Sequence, residues 1–305
     1  MAFGAKSRGG PSSKEAGLRE RAEAMAATLP PLLVQAERIA ATVEQGVHGR
    51  RRVGQGETFW QFRRYQPGDP VGRIDWRQSA KADPVFVRES EWAAAQTIFL
   101  WRDASASMRW RSGRNLPEKI ERADLVTMAL AALLLDAGER VALLGTPSPP
   151  LTGHRGLERL AMLLQHHPAD QSLPPDLPLP RHAELVLIGD FLSPLATLEA
   201  RFKHLADHQP HGHILQLLDP AEQALPFTGR IRFEGTEEEG EALIGRVEAV
   251  RQAYAERLQA QLDGMAALAR MFGWSYALTT TDRPPETALL ALYRRLGERV
   301  EVKIR

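Results

Sequence analysis

The sequence predicts an α/β protein built on a doubly wound, mostly parallel β-sheet flanked by helices, preceded by an N-terminal helical segment and a small β-rich element. From about residue 97 onward, short apolar runs alternate with longer helical patterns, which is typical of parallel strands buried on both faces. The 305 residues are enough for one large core with a smaller satellite. The content of 43% hydrophobic and 25% charged residues is ordinary for a globular protein.

Composition excludes several kinds of site. The chain has no cysteine, so disulfides, iron–sulfur clusters, thiolate zinc sites and cysteine nucleophiles are excluded. The formal net charge of +1 gives no whole-molecule attraction to nucleic acid. The apolar run Leu125–Leu135 is shorter than the roughly 20 residues that cross a bilayer, and the N-terminal residues lack the apolar stretch of a secretory signal. We therefore expect a cytoplasmic protein without a transmembrane segment.

The first third of the chain has three parts. Residues 1–13 are small and polar and are expected to form a disordered lead. Residues 14–46 predict two helices, because apolar side chains recur every three or four positions and Pro30 and Pro31 interrupt the pattern. Residues 47–92, rich in glycine, arginine and aromatic residues, predict a small β-rich element with strands at 58–65 and 84–91.

Residues 93–305 are predicted to form the α/β domain itself. Strands are expected at 97–101, 141–144, 185–188, 213–218 and 274–278, and helices at 117–137, 156–165, 195–206, 247–272 and 286–296. Pro117 suits the first turn of its helix and Gly138 suits its end. The acidic segment 234–241 and the proline-rich segments 147–150 and 174–180 are expected to be a turn and loops.

The sharpest chemical feature follows the first strand of this domain. Asp103, Ser105 and Ser107 stand at alternate positions in a short loop. They would present one carboxylate and two hydroxyls to a common point, an all-oxygen environment that suits Mg²⁺ or Mn²⁺. Asp190 follows the strand expected at 185–188 in the same way, and ligands of doubly wound sheets bind beyond the carboxyl ends of the strands. The alternative is a plain loop in which Asp103 caps the next helix.

These motifs resemble known families. The Asp103 loop together with Asp190 is similar to the metal-ion-dependent adhesion site of von Willebrand factor A domains. The wider set of motifs resembles the bacterial family called domain of unknown function 58, over roughly residues 49–296. That set comprises Arg64–Asp69, Arg73–Arg77, Val87–Glu89, Tyr254 and Thr280–Asp282.

The resemblance implies a ligand set. In such adhesion sites the serine hydroxyls bind the metal directly, which would be the role of Ser105 and Ser107. Asp103 and Asp190 would act mainly through bound water. The family pattern also implies a threonine ligand, for which Thr152 is the best-placed residue and Thr146 the alternative. A carboxylate from a partner protein would fill the open coordination position.

The resemblance also implies a function that is not enzymatic. Members of the family called domain of unknown function 58 are associated with MoxR-type AAA+ ATPases as adaptors or chaperone-like factors. We therefore expect a metal-dependent protein-binding module whose partner is such an ATPase or its client. Many members carry membrane segments ahead of the motifs, whereas none is evident in this sequence.

Two other functions stay open. Between Val47 and Lys81, eight basic residues stand against three acids, and this excess could attract an acidic protein surface or nucleic acid. The interleaved Asp69 and Asp75 favour internal ion pairing instead, so nucleic acid is not the expected partner. Mg²⁺ held by two aspartates could assist phosphoester hydrolysis, but no glycine-rich phosphate loop is present.

Histidine offers a competing metal site. His204 and His208 stand four residues apart on a predicted helix, with His211 and His213 just beyond. This spacing is compatible with zinc. No His-Glu-x-x-His motif accompanies it, so we expect solvated imidazoles at a polar helix end.

Overall fold

The computed structural model describes residues 32–44, 58–66, 69, 74–81, 84–91, 96–166, 172–181, 183–207, 210–236 and 240–302. Its contacts divide the chain into a small unit, Gln45–Gln96, and a large unit formed by the residues on either side of it. The N-terminal lead and the first helix predicted within 14–46 lie outside the described residues.

The small unit contains the predicted β-structure. Strand β1 (Thr58–Arg64) pairs antiparallel with β2 (Phe86–Glu91), and a short helix α2 (Trp76–Ser79) lies between them in sequence. Two of its acids, Asp69 and Asp75, bind backbone amides. Asp75 accepts from the Gln78 N–H at 2.9 Å and so starts α2, and Asp69 accepts from the Gln66 N–H at 2.8 Å. These bonds give both acids a structural role.

The large unit is built on one parallel sheet. Its strands are β3 (Thr97–Arg102), β4 (Arg140–Leu143), β5 (Glu184–Gly189), β6 (His211–Leu218) and β9 (Ser275–Thr280). The order across the sheet is β4-β3-β5-β6-β9, and every neighbouring pair is parallel. From β3 the chain first forms β4 on one side and then β5, β6 and β9 on the other. The strand order therefore reverses at β3. In open α/β sheets such a reversal marks the ligand-binding crevice.

Helices cover both faces of this sheet. They are α1 (32–44), α3 (Lys119–Asp136), α4 (Gly153–Gln165), α5 (Leu195–Ala206), α6 (Pro220–Ala224), α7 (Val247–Met271) and α8 (Pro285–Val302). Helix α3 contacts α4 and α8, whereas α5 contacts α7. All six residues of β5 are buried, and alternate ones, Leu185 and Leu187, belong to the core formed with α5 and α7. The predicted α/β class, with a mostly parallel sheet flanked by helices, is confirmed.

Buried polar contacts fix the helices on the sheet. Arg102, at the end of β3, lies 2.7 Å from the Asp124 carboxylate of α3 and donates to the Leu164 carbonyl of α4 at 2.8 Å.

On β6, a Cβ on Gly212 would lie 2.2 Å from the Trp274 ring. Only glycine lets this ring lie against the strand.

Two elements differ from the sequence prediction. The acidic segment expected to be a turn is flanked by an antiparallel hairpin, β7 (Ile231–Glu234) and β8 (Glu241–Ile244), while residues 237–239 lie outside the described residues. Helix α6 was not predicted either. No helix within the described ranges is long and apolar enough to span a bilayer.

Candidate functional site

Three aspartates follow three adjacent strands at the carboxyl edge of the sheet. Asp103 follows β3, Asp190 follows β5 and Asp219 follows β6, and all three are buried. The Asp103 N–H donates to the Ile188 carbonyl at 2.8 Å, which brings the first two strand ends together. The predicted convergence of Asp103 and Asp190 on one edge is therefore observed. Asp219 was missed.

The loop after Asp103 places both serine hydroxyls at this edge. One Asp103 carboxylate oxygen accepts from the Ser105 N–H at 2.8 Å, which holds the loop in a tight turn. The hydroxyls of Ser105 and Ser107 are 3.0 Å apart, and the Ser107 hydroxyl donates to Oδ2 of Asp190 at 2.7 Å. Neighbouring ligands of an octahedral Mg²⁺ with bonds of about 2.1 Å are about 3 Å apart. The spacing of the two hydroxyls fits such a pair of ligands.

A buried lysine completes the edge. Lys119, in the first turn of α3, is fully buried, and its Nζ lies 2.9 Å from Oδ2 of Asp190 and 2.5 Å from Oε1 of Glu222. Burial alone disfavours the ammonium, but the two carboxylates outweigh burial, and the pKa of Lys119 is raised above its ordinary value. Lys119 is therefore a fixed positive charge beside the proposed ligands.

Glu222 is held in turn by the start of α6. Asp219 caps this helix by accepting from the Ala221 N–H at 2.8 Å, and the Glu222 carboxylate accepts from the Asp219 N–H at 2.7 Å. The Tyr254 hydroxyl of α7 donates to the Glu222 carbonyl. The Asp-Pro-x-Glu pattern after an apolar strand was a sequence signal for this cap. No comparable sequence pattern marked Lys119.

The edge opens into a cleft of about 1020 Å³ that Ser107 and Asp190 line. We call Ser107 and Asp190 the polar floor of this cleft, and its apolar and aromatic side chains the apolar wall. That wall includes Trp110, Leu192, Leu225, Phe227, Phe233 and Tyr254. Polar and charged residues, among them Arg111 and Arg232, make up about half of the lining, so the cleft suits a partner with both polar and apolar groups.

Neither threonine proposed as a third hydroxyl ligand lines this cleft. Leu151 pairs antiparallel with Val141 near the start of β4, so Thr152 continues towards the amino edge of the sheet, away from Asp103. Thr146 lies beyond the carboxyl end of β4, and its hydroxyl donates to the Leu143 carbonyl at 2.8 Å. Instead, Ser172 lines the cleft together with Ser107 and Asp190. Ser172 was not identified from the sequence.

The described histidines do not form a zinc site. His204 is an exposed side chain 3.7 Å from Asp176, whereas His213 is buried in β6 between Glu184 and Ser275. His208 lies outside the described residues. In the part of the chain that the structure describes, no three His, Asp or Glu side chains are grouped to hold a metal by themselves. The edge of the sheet formed by Asp103, Ser105, Ser107 and Asp190, which we call the Asp103 edge, differs because it offers serine hydroxyls as well as carboxylates.

The fold and this edge define a mixed α/β protein with carboxylates and hydroxyls gathered at the carboxyl ends of parallel strands. The chain belongs to the family described as protein of unknown function DUF58, whose model matches residues 61–263. This match confirms the resemblance to that family that the motifs indicated.

Similar proteins come from mycobacteria. The uncharacterized proteins Rv1480 of Mycobacterium tuberculosis (strain ATCC 25618 / H37Rv) and Mb1516 of Mycobacterium bovis are each 27% identical over 278 residues, covering 85% of this chain and 86% of the relative.

Two solved structures also match, each over 67% of this chain and 100% of its own. They are the conserved hypothetical protein BatB from Bacteroides thetaiotaomicron, with 15% identity and a TM-score of 0.34, and an aerotolerance-related membrane protein from Bacteroides fragilis, with 16% identity and a TM-score of 0.38.

Proposed function

We propose that the chain is a non-catalytic protein-binding module that uses a divalent cation, Mg²⁺ or Mn²⁺, at the Asp103 edge. The observation that carries the proposal is the 3.0 Å spacing of the Ser105 and Ser107 hydroxyls beside Asp103 and Asp190. Ser105 and Ser107 would hold the cation, and the two aspartates would bind it through water. The cation would supply a strong attraction for a carboxylate.

The cleft supports a protein partner. An Asp or Glu side chain entering from the cleft would reach the polar floor beside Ser107, while the neighbouring residues of that partner would contact the apolar wall. Ser172, which lines the same cleft, is the proposed source of a further hydroxyl. The antiparallel contact of Leu151 at the edge of β4 and the strand order support the von Willebrand factor A-like assignment. The proposed partner is a MoxR-type AAA+ ATPase or its client in the cytoplasm.

The test is capture of partners from native lysate. Wild type in Mg²⁺ and Thr152→Ala in Mg²⁺ should retain the same AAA+ ATPase, because Thr152 does not line the cleft. Wild type in EDTA, Asp103→Ala and Ser107→Ala should lose it. Retention by all five samples, identified by mass spectrometry, would show that the Asp103 edge is not the contact.

A separate assay addresses hydrolysis. If wild type hydrolyses a phosphoester in Mg²⁺ and Asp103→Ala does not, the chain is a metal-assisted hydrolase and the binding proposal is wrong. We expect no turnover.

A further inference from the structure

Lys119 and the proposed cation would act on the same oxygen atom. Oδ2 of Asp190 accepts from the Ser107 hydroxyl at 2.7 Å and from the Lys119 ammonium at 2.9 Å. A cation bound by the Ser107 hydroxyl would therefore lie close to a positive charge that already partly neutralises Asp190. Two cations so close repel each other strongly in a buried site.

Lys119 has little freedom to withdraw. Its side chain is fully buried, and its second partner, Glu222, is fixed by the cap of α6 and by the Tyr254 hydroxyl. The ammonium thus lies between Asp190 and Glu222. Lys119 therefore neutralises part of the negative charge of Asp190 and Glu222.

We propose that Lys119 sets the cation affinity of the edge and makes it weak, so that a divalent cation is held firmly only when a partner carboxylate joins it. This inference rests on the proposed function. An incoming carboxylate adds a negative charge that both the ammonium and the divalent cation attract, and it restores the charge balance that Lys119 reduces. Cation binding and partner binding would then strengthen each other by equal factors.

The test is the affinity of the full chain for Mn²⁺, measured by titration calorimetry without any partner. Lys119→Met removes the charge but keeps an unbranched side chain, and it should bind Mn²⁺ about tenfold more tightly than wild type, or tighter still. Arg111→Met is the matched control. Arg111 lines the same cleft but is exposed, so the loss of its charge should change the affinity less than about threefold.

If Lys119 only stabilised the fold, replacing it by methionine would not tighten Mn²⁺ binding. The metal-free melting temperature of Lys119→Met should fall, because Asp190 and Glu222 lose their cation, and Mn²⁺ should raise it more than it raises that of wild type. Equal or weaker Mn²⁺ binding by Lys119→Met overturns the inference while leaving the metal site intact. Absence of Mn²⁺ binding by both proteins at millimolar concentration overturns the proposed function as well.

Glu222→Gln decides the question if Lys119→Met does not fold. Glutamine can still accept from the Asp219 N–H, so the cap of α6 is kept. With Glu222 neutral, the ammonium acts on Asp190 alone, and Mn²⁺ affinity should fall about tenfold. An affinity equal to that of wild type would overturn the role assigned to Lys119.

Discussion

At residue 189, the absence of a side chain determines where Asp103 can lie. A Cβ on Gly189 would be 2.8 Å from the Cβ of Asp103 and 3.1 Å from its Oδ2. Gly189→Ala should therefore displace the Asp103 carboxylate, lower Mn²⁺ affinity about tenfold and reduce the free energy of unfolding by about 1–3 kcal/mol. Titration calorimetry and thermal melting measure both effects.

The matched control is Gly113→Ala. No atom lies within 4 Å of a Cβ at this position, so both quantities should stay near their wild-type values. Unchanged Mn²⁺ binding by Gly189→Ala would mean that the position of Asp103 does not matter for the cation.

Residue-level features differ in how far the sequence predicted them. Asp103, Ser105, Ser107 and Asp190 were identified because a short motif and an apolar strand are local signals. Lys119 was not, because its partners Asp190 and Glu222 are 71 and 103 residues away in sequence. A lysine in the first turn of a helix is usually exposed, and only tertiary contacts show otherwise.

At the level of elements, a partly buried ion pair joins β3 to α3: the Arg102 side chain is buried and that of Asp124 is 24% exposed. Burial raises the pKa of Asp124 to about 6, in spite of the Arg102 guanidinium 2.7 Å away. A carboxyl group with a raised pKa binds its proton more tightly in the folded chain. Its stabilising contribution is present below its ordinary value near 3.8 and is lost as the pH rises through about 6.

Asp124→Asn removes this titration. The stability of wild type relative to Asp124→Asn should fall by about 2–3 kcal/mol between pH 4 and pH 7, measured by urea unfolding at each pH. A difference that stays constant over this range would show that Asp124 does not titrate there. The introduced asparagine does not ionise, so the pH dependence of this difference reports the titration of Asp124 together with its pairing to Arg102.

The predicted strands and long helices were found because long apolar patterns are strong signals. The β7–β8 hairpin was missed because its residues are half-buried or exposed and its strands are four residues each. Helix α6, with five residues, is too short to show a helical period. Residues of β7 and of α6 line the cleft. The sequence therefore predicted Ser107 and Asp190 in the cleft but not the two missed elements beside them.

On the scale of the whole molecule, the large unit is discontinuous in sequence. Helix α1 precedes the small unit, yet it buries Ala36, Ile39, Ala40 and Val43, and its Glu37 lies 3.8 Å from His154 of α4. These contacts make α1 part of the α/β core, although the sequence grouped it with a separate helical segment.

Ala36→Glu should therefore destabilise the α/β unit itself. A carboxylate at this fully buried position should lower the free energy of unfolding by about 3 kcal/mol or more. Val34→Glu, on the same helix but 63% exposed, should have little effect. Equal melting temperatures for the two variants would show that α1 does not contribute to the core.

The proposed function depends on a divalent cation held by the Ser105 and Ser107 hydroxyls. Anomalous scattering at the manganese edge, from crystals of the wild-type chain kept in enough Mn²⁺ to saturate the site in titration calorimetry, tests this most directly. We expect one strong peak within about 2.2 Å of both hydroxyl oxygens, with the Asp103 and Asp190 carboxylates too far away to bind the cation directly. Crystals with no peak at this edge, or with manganese bound only elsewhere, would contradict it.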